Sequence, residues 1–195
     1  MMKIEPVTLT GKIVRLEPLQ LSHADDLFVA SQDPGIWTYM PTILGESLAQ
    51  MQEWIISTMQ LQESRKALPF AIVLLSTGRA VGSTRFHNLE PQDRGLEIGW
   101  TWLSQEVRRT GVNTECKYLL LRHAFETLGA IRVQLKTHHN NFRSQQAIER
   151  LGAVKEGVLR NHMIMPDNSY RHSVFYSVIE SEWPQVKAGL EAKMY

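Results

Sequence analysis

The chain is poor in several features, and each scarcity excludes something. Among 195 residues there is a single cysteine, Cys116, so neither an intrachain disulfide nor a thiolate metal cage can form, and a reducing compartment, the cytoplasm, is the expected setting. Neither sign of charge is in excess. The 21 basic side chains face 20 acidic ones, a net of +1, whereas domains that grip long nucleic acids carry a cationic surplus. Long hydrophobic runs are also missing: the longest, Leu68 to Leu75, is far short of the roughly 20 residues that span a bilayer. The opening Met-Met-Lys-Ile-Glu-Pro puts a charge and a proline where a secretory signal needs roughly 7–15 apolar residues. No Gly-, Ser- or Pro-rich linker and no repeat divides the chain. The expectation is one domain over residues 1–195 that binds neither nucleic acid nor membrane.

What is present is regular patterning. Ile13 to Leu19 alternates like a strand, Ser22 is placed to cap a short helix over Ala24 to Ala30, and Asp33-Pro34-Gly35 breaks it. Ile36 to Gly45 reads as a loop or short helical turn beside an opening. Leu48, Met51, Ile55 and Met59 mark one face of an amphipathic helix running from Ser47 to about Ser64. Leu68 to Leu75 and Ala80 to Phe86, joined by Thr77-Gly78-Arg79, predict a hairpin, and Leu96 to Leu103 adds a third antiparallel strand. Thr114 to Leu128 is the strongest helix, with stripes of Cys116, Leu120, Ala124 and Leu128 and of Tyr118, Leu121 and Phe125, stopped at Gly129. A strand over Ile131 to Thr137, a helix over Phe142 to Leu151 and strands over Ala153 to Leu159 and Ser173 to Ile179 complete a mixed α/β or α+β reading with helices on the sheet faces.

Chemistry concentrates at Val107-Arg108-Arg109-Thr110-Gly111-Val112-Asn113-Thr114, between a strand and the N-terminus of that strongest helix. Such a junction offers unpaired backbone N–H groups and the positive end of the helix dipole to an anion, with two arginines alongside. By itself a lone glycine there reads more readily as a structural turn than as a phosphate site. The Gly-Lys-Ser/Thr ending of a Walker loop is missing, as are two of the three glycines of a dinucleotide fingerprint. About thirty residues on, Asn141-Phe142-Arg143-Ser144 opens a second helix that ends at Leu151-Gly152-Ala153.

Together, Arg108-x-x-Gly111-x-Asn113 and Asn141-x-Arg143-Ser144 resemble the GNAT superfamily of acyl-coenzyme A-dependent N-acetyltransferases, in its RimJ/RimL-like branch. Asn113 stands where the family pattern has Gly or Ala, and is a residue that tolerates left-handed backbone. The resemblance implies a mixed, mostly antiparallel central sheet with helices on both faces and a splayed strand pair, Glu97 to Leu103 against Arg132 to Thr137. The pantetheine arm of acetyl-coenzyme A would lie in the splay, on backbone groups of Trp102 and Leu103. Its pyrophosphate would meet the N–H groups of Arg109, Thr110, Gly111, Val112, Asn113 and Thr114, with Arg108 and Arg109 as cationic donors. Asn141 would contact the pantetheine or cap its helix.

The roles that follow each have a structural alternative. An amine must lose a proton before it attacks, and Glu97 is the candidate base, or else an exposed strand carboxylate or the partner of a residue such as Arg85. The tyrosine acid of many family members is replaced by Ile148, leaving Ser144 as the candidate donor to the departing thiolate, or as a first-turn hydroxyl. N–H groups near Gly99 and Trp100, at a suspected bulge, would meet the oxyanion. Trp37, Tyr39, Arg85 and Trp100 either line an acceptor pocket or pack. Cys116 sits on an apolar stripe as a core residue, and adjacent His138 and His139, expected on opposite sides of a strand end, give no metal site. The reading is an acetyl-coenzyme A-dependent N-acetyltransferase acting by direct attack of a primary amine, on a protein N-terminus or a small molecule. The alternative is a non-catalytic acyl-coenzyme A-binding module or sensor. Monomer and homodimer are both open.

Overall fold

The β-rich middle third of the chain builds a meander of three antiparallel strands, β3 (Ala67–Leu74), β4 (Ala80–Glu90) and β5 (Gly95–Leu103). The computed structural model describes residues 2–194. On one side β3 pairs with β2 (Val14–Pro18), and β2 with the two-residue β1 (Leu9–Thr10). On the other side stand β6 (Arg132–His138), β8 (Tyr170–Ile179) and β7 (Val154–Ile164), giving one eight-stranded sheet in the order β1-β2-β3-β4-β5-β6-β8-β7.

Every neighbouring pair is antiparallel except β5 and β6, which are parallel because helix α3 (Val112–Arg122) crosses over between them. Their ladder is short. Gly95, Leu96 and Glu97 pair with Arg132, Val133 and Gln134, after which the two strands part while each continues toward its C-terminal end. The anticipated splay is therefore present, and it opens after Glu97.

Two cores hold the sheet. On one face α3 and the C-terminal helix α5 (Trp183–Met194) bury Cys116, Leu120, Trp183 and Leu190 against Phe70, Phe86, Ile98, Val133 and Tyr176. On the other, α1 (Ala24–Ala30) and α2 (Leu48–Glu63) bury Leu27, Met51 and Ile55 against Ala71, Val73 and Trp102. α4 (Phe142–Leu151) contributes Ile148 and Leu151 to the first core.

Several sequence expectations shift. Ser22 is not the cap of α1; a 3-10 turn, Leu21–His23, leads directly into it. The strongest helix starts two residues earlier than expected, at Val112, and its last part, His123–Thr127, widens into a π-helical turn. β1 and α5 have no counterpart in the sequence reading. His138 and His139 do not diverge: the strand ends there, alternation lapses, and their rings stack at 4.5 Å.

Lys117 lies on α3, buried, and donates at 2.6 Å to Thr101 Oγ1, which in turn shares a proton with Thr84 at 2.8 Å. Burial lowers its pKa to about 8. Below pH 8 the fold carries a buried ammonium; between 8 and 10.5 the unfolded chain still binds that proton and the folded one does not, so stability rises through this window. Lys117→Met should therefore raise the melting temperature by a few degrees at pH 7, a gain that closes toward pH 10. A gain independent of pH would show that the ammonium is not the source.

Candidate active site

Because β5 and β6 are parallel, their C-terminal ends lie at the same edge of the sheet, and the N-termini of α3 and α4 flank the mouth of the splay. Ligands of open α/β sheets bind at such a place. On the β5 side, Arg109 adopts a left-handed backbone (φ 60°) and Gly111 leads into Val112. A Cβ on Gly111 would sit 2.9 Å from Ile13 Cδ1, so the glycine allows the loop to lie close on the β1–β2 turn. That turn is tied to the same helix: Glu115, in its first turn, accepts N–H bonds from Lys12, Ile13 and Val14 at 2.7–2.8 Å. The helix N-terminus is thus fixed in place against that turn.

The loop residues do not share the roles expected of them. Asn113 is an ordinary helical residue, and the left-handed position is Arg109. Arg108 is spent on structure: its Nη1 meets Asp33 Oδ2 at 2.5 Å and its Nε donates to the Leu103 carbonyl at 3.3 Å. The Asp33 carboxyl is held below its usual range by the Gly35 N–H, by Arg108 and by Arg143 at the start of α4. Arg109, exposed and paired with no carboxylate among the described residues, is the free cation of the loop. Thr110 closes the loop by donating to the Val107 carbonyl at 2.7 Å. On the β6 side, Asn141 caps α4 by accepting the Ser144 N–H at 3.1 Å, and Ser144 remains half-buried on the first turn.

The face of the sheet beneath α1 and α2 carries the polar groups. A bulge between β4 and β5 shifts the register after Arg85↔Gly99, and Trp100 takes φ 54°, a conformation costly for a bulky residue. The suspected bulge is real, but the strained residue is Trp100, not Gly99. Gly99 serves otherwise: a Cβ there would stand 2.4 Å from His87 Nε2, so the missing side chain leaves room for that imidazole.

His87 is paired across the ladder with Glu97, and its Nε2 lies 3.1 Å from Glu97 Oε1, off the line of a hydrogen bond. Glu97 is 1% exposed and its other oxygen accepts from Asn88, Gln134 and Lys136 at 2.8–3.1 Å. Burial pushes its pKa up, but His87, Lys136 and Gln134 outweigh that and hold it at about 2. The alternative pairing with Arg85 does not occur. Glu97 is therefore permanently ionised at neutral pH, and a carboxylate so well solvated by donors is a poor proton acceptor. His87 is the residue the sequence did not reveal; its position opposite Glu97 depends on a hairpin register that no motif encodes.

Of the four expected pocket residues, Trp37 is instead core: it is 5% exposed, packs at 5.4 Å on Trp102, and donates its indole N–H to the Ser31 carbonyl. Tyr39 stacks on His138 at 5.1 Å, and Trp100 covers the Arg85 guanidinium at 4.5 Å. The side chain of Trp102 packs between Trp37 and Trp54 and its backbone pairs with Ser83 on β4, so of the two expected coenzyme residues only Leu103 turns its backbone groups away from β4, and its carbonyl accepts from Arg108.

A family model described as an acetyltransferase (GNAT) domain matches residues 14–154. The chain belongs to the GNAT acetyltransferase family. A crystal structure of a GCN5-related N-acetyltransferase from Brucella melitensis superposes with a TM-score of 0.92 at 29% identity, covering 99% of this chain and 87% of that one. Among sequence relatives, YdaF of Bacillus subtilis (strain 168) is 33% identical over 111 residues, 56% of this chain and 59% of its own length. The ribosomal-protein-serine acetyltransferase of Escherichia coli (strain K12) is 23% identical over 146 residues, 69% of this chain and 81% of that protein. This GNAT chain is thus an N-acetyltransferase whose relatives include the ribosomal-protein-modifying type.

Proposed function

We propose that this enzyme moves the acetyl group of acetyl-coenzyme A directly onto a primary amine. The observation that carries the reading is the three-pair β5–β6 ladder, which leaves an open strand edge beside the N-terminus of α3. An amide-bearing pantetheine arm fits that edge as an added strand, on the β5 backbone groups near Leu103 that face away from β4. A diphosphate fits the N–H groups of residues 109–114 with Arg109 beside them, while Asn141 borders the arm from the β6 side. N–H groups around the Trp100 bulge would meet the oxyanion.

In this reading the amine gives up its proton to His87, beside which Glu97, ionised and fixed by its neighbours, supplies a negative charge 3.1 Å from Nε2. The nitrogen then attacks the thioester carbonyl, the C–S bond breaks, and the thiolate takes a proton from solvent or through Ser144. Cys116 has no place in the sequence of events: it is fully buried on α3 and burial raises its pKa to about 12.

Acetyl-coenzyme A at about 100 times its dissociation constant should stabilise the fold by about 2.7 kcal/mol, roughly 5–10 °C in melting temperature for a chain of this size. Release of free thiol should then depend on added amine across a panel of amines and peptides. A shift without amine-dependent release would identify a binding protein, and no shift at all would remove the coenzyme from the reading.

A further inference from the structure

A guanidinium taken out of water without a counterion forfeits its hydration, and proteins seldom leave one in that state unless something else completes it. Arg85 is such a group. It is 4% exposed, its Nε and Nη2 are sealed from solvent with no hydrogen-bond partner, and it pairs with no carboxylate among the described residues. Two indoles hold it in place, Trp100 at 4.5 Å and Trp54 at 5.8 Å, which fixes the fork without satisfying its N–H groups. Burial lowers its pKa only to about 10, so it remains a cation at neutral pH.

A second buried guanidinium, within electrostatic range of Glu97, repeats the imbalance. On β8, Arg171 is 6% exposed and donates only to neutral oxygens, Ser173 Oγ at 3.0 Å and the Tyr39 carbonyl at 3.4 Å. Lys136 on β6 is paired with Glu97, which is the one carboxylate in the group and is already shared with His87. Arg85 faces Gly99 across the ladder, next to the Trp100 bulge, and is two residues from His87 on the same face of β4. The unsatisfied fork therefore lies beside the place where the amine would be deprotonated.

We propose that the acceptor is an amine that also carries a carboxylate, and that Arg85 binds this carboxylate. The inference rests on the transferase reading for the amine and on the Arg85 site for the acid. Its shared chemistry admits two sources, a free amino acid and an acidic peptide N-terminus. The Arg85 fork gives bidentate, charge-assisted bonds, and an amide of equal shape offers only one oxygen without charge.

The test is equilibrium binding, which needs no turnover. In the presence of saturating coenzyme A, titration calorimetry compares N-acetyl-leucine with N-acetyl-leucinamide, and an N-acetylated tetrapeptide amide beginning with Glu with its Gln counterpart. The acid should bind about tenfold or more tighter than its amide in at least one pair, and the discriminating pair identifies the source. In Arg85→Gln the ratio should fall to within twofold, its fold being checked by the melting shift with coenzyme A. Should that variant not fold, Arg85→Lys, which keeps the charge and loses the fork, should cut the ratio at least threefold. Wild-type ratios within twofold in both pairs, or a ratio that survives substitution of Arg85, overturn the proposal. Amine-independent thiol release would instead count against the transferase reading and leave these ratios to be judged separately.

Discussion

Replacing His87 by alanine lowers kcat by about 10²-fold or more near neutral pH, within the range that a positioned acid–base group contributes. The expectation follows from the division of labour across the β4–β5 ladder. Glu97, held ionised with its pKa at about 2, is a poor acceptor for an ammonium proton at pH 7, and the imidazole 3.1 Å away is the neighbouring group with a nitrogen lone pair to offer. Three readouts separate this from general damage. The melting shift with acetyl-coenzyme A should stay, because the groups proposed to hold the coenzyme are on β5 beyond the bulge and on α3; the loss should appear in kcat more than in the KM for acetyl-coenzyme A; and a small exogenous imidazole should restore part of the rate. A His87→Ala enzyme with wild-type kcat would return the proton to another group, and Glu97 would then be reduced to architecture.

Glu97→Ala carries the largest expected stability loss, about 3 kcal/mol at pH 7, or roughly 6–12 °C in melting temperature. The carboxylate anchors Asn88, Gln134 and Lys136 at the point where β5 and β6 part, and its removal leaves the Lys136 ammonium half-buried without a partner. The pH dependence has a definite sign. Because the folded carboxyl ionises at about 2 and the ordinary value is 4.5, its stabilisation is complete above pH 4.5 and drains away as pH falls from there toward 2. Denaturant titrations at pH 7 and pH 3 should therefore show a smaller gap between wild type and variant at the lower pH. An equal gap at both would mean that packing, not charge, accounts for the loss.

Much of this geometry was legible in the sequence, for physical reasons. The hairpin, the third strand, the amphipathic helices and the Asn141 cap follow from local periodicity and turn chemistry, and the paired motifs at Arg108–Asn113 and Asn141–Ser144 pointed to the family and to the splayed strands. What escaped depends on long-range placement. α5 turns only Trp183, Val186 and Leu190 into the core, among a proline, a glycine and lysines, so its helical pattern is faint. β1 has two residues and exists only because β2 offers an edge. His87 acquires meaning from Glu97 ten residues later, Arg108 from Asp33 at the far end of α1, and Glu115 from the backbone of Lys12, Ile13 and Val14, 101–103 residues earlier. Cross-strand register and tertiary ion pairs leave no trace in a linear pattern.

The three-pair ladder between β5 and β6 has a mechanical side. It stitches a five-strand half, β1 to β5, to a three-strand half, β6 to β8, with less backbone than any other seam among the long strands. A molecule lying in that seam with its amides paired to the β5 edge would act as a splint as well as a reactant. Stiffness of the sheet and competence for transfer would then arrive together, in a single binding event, and leave together with the spent coenzyme.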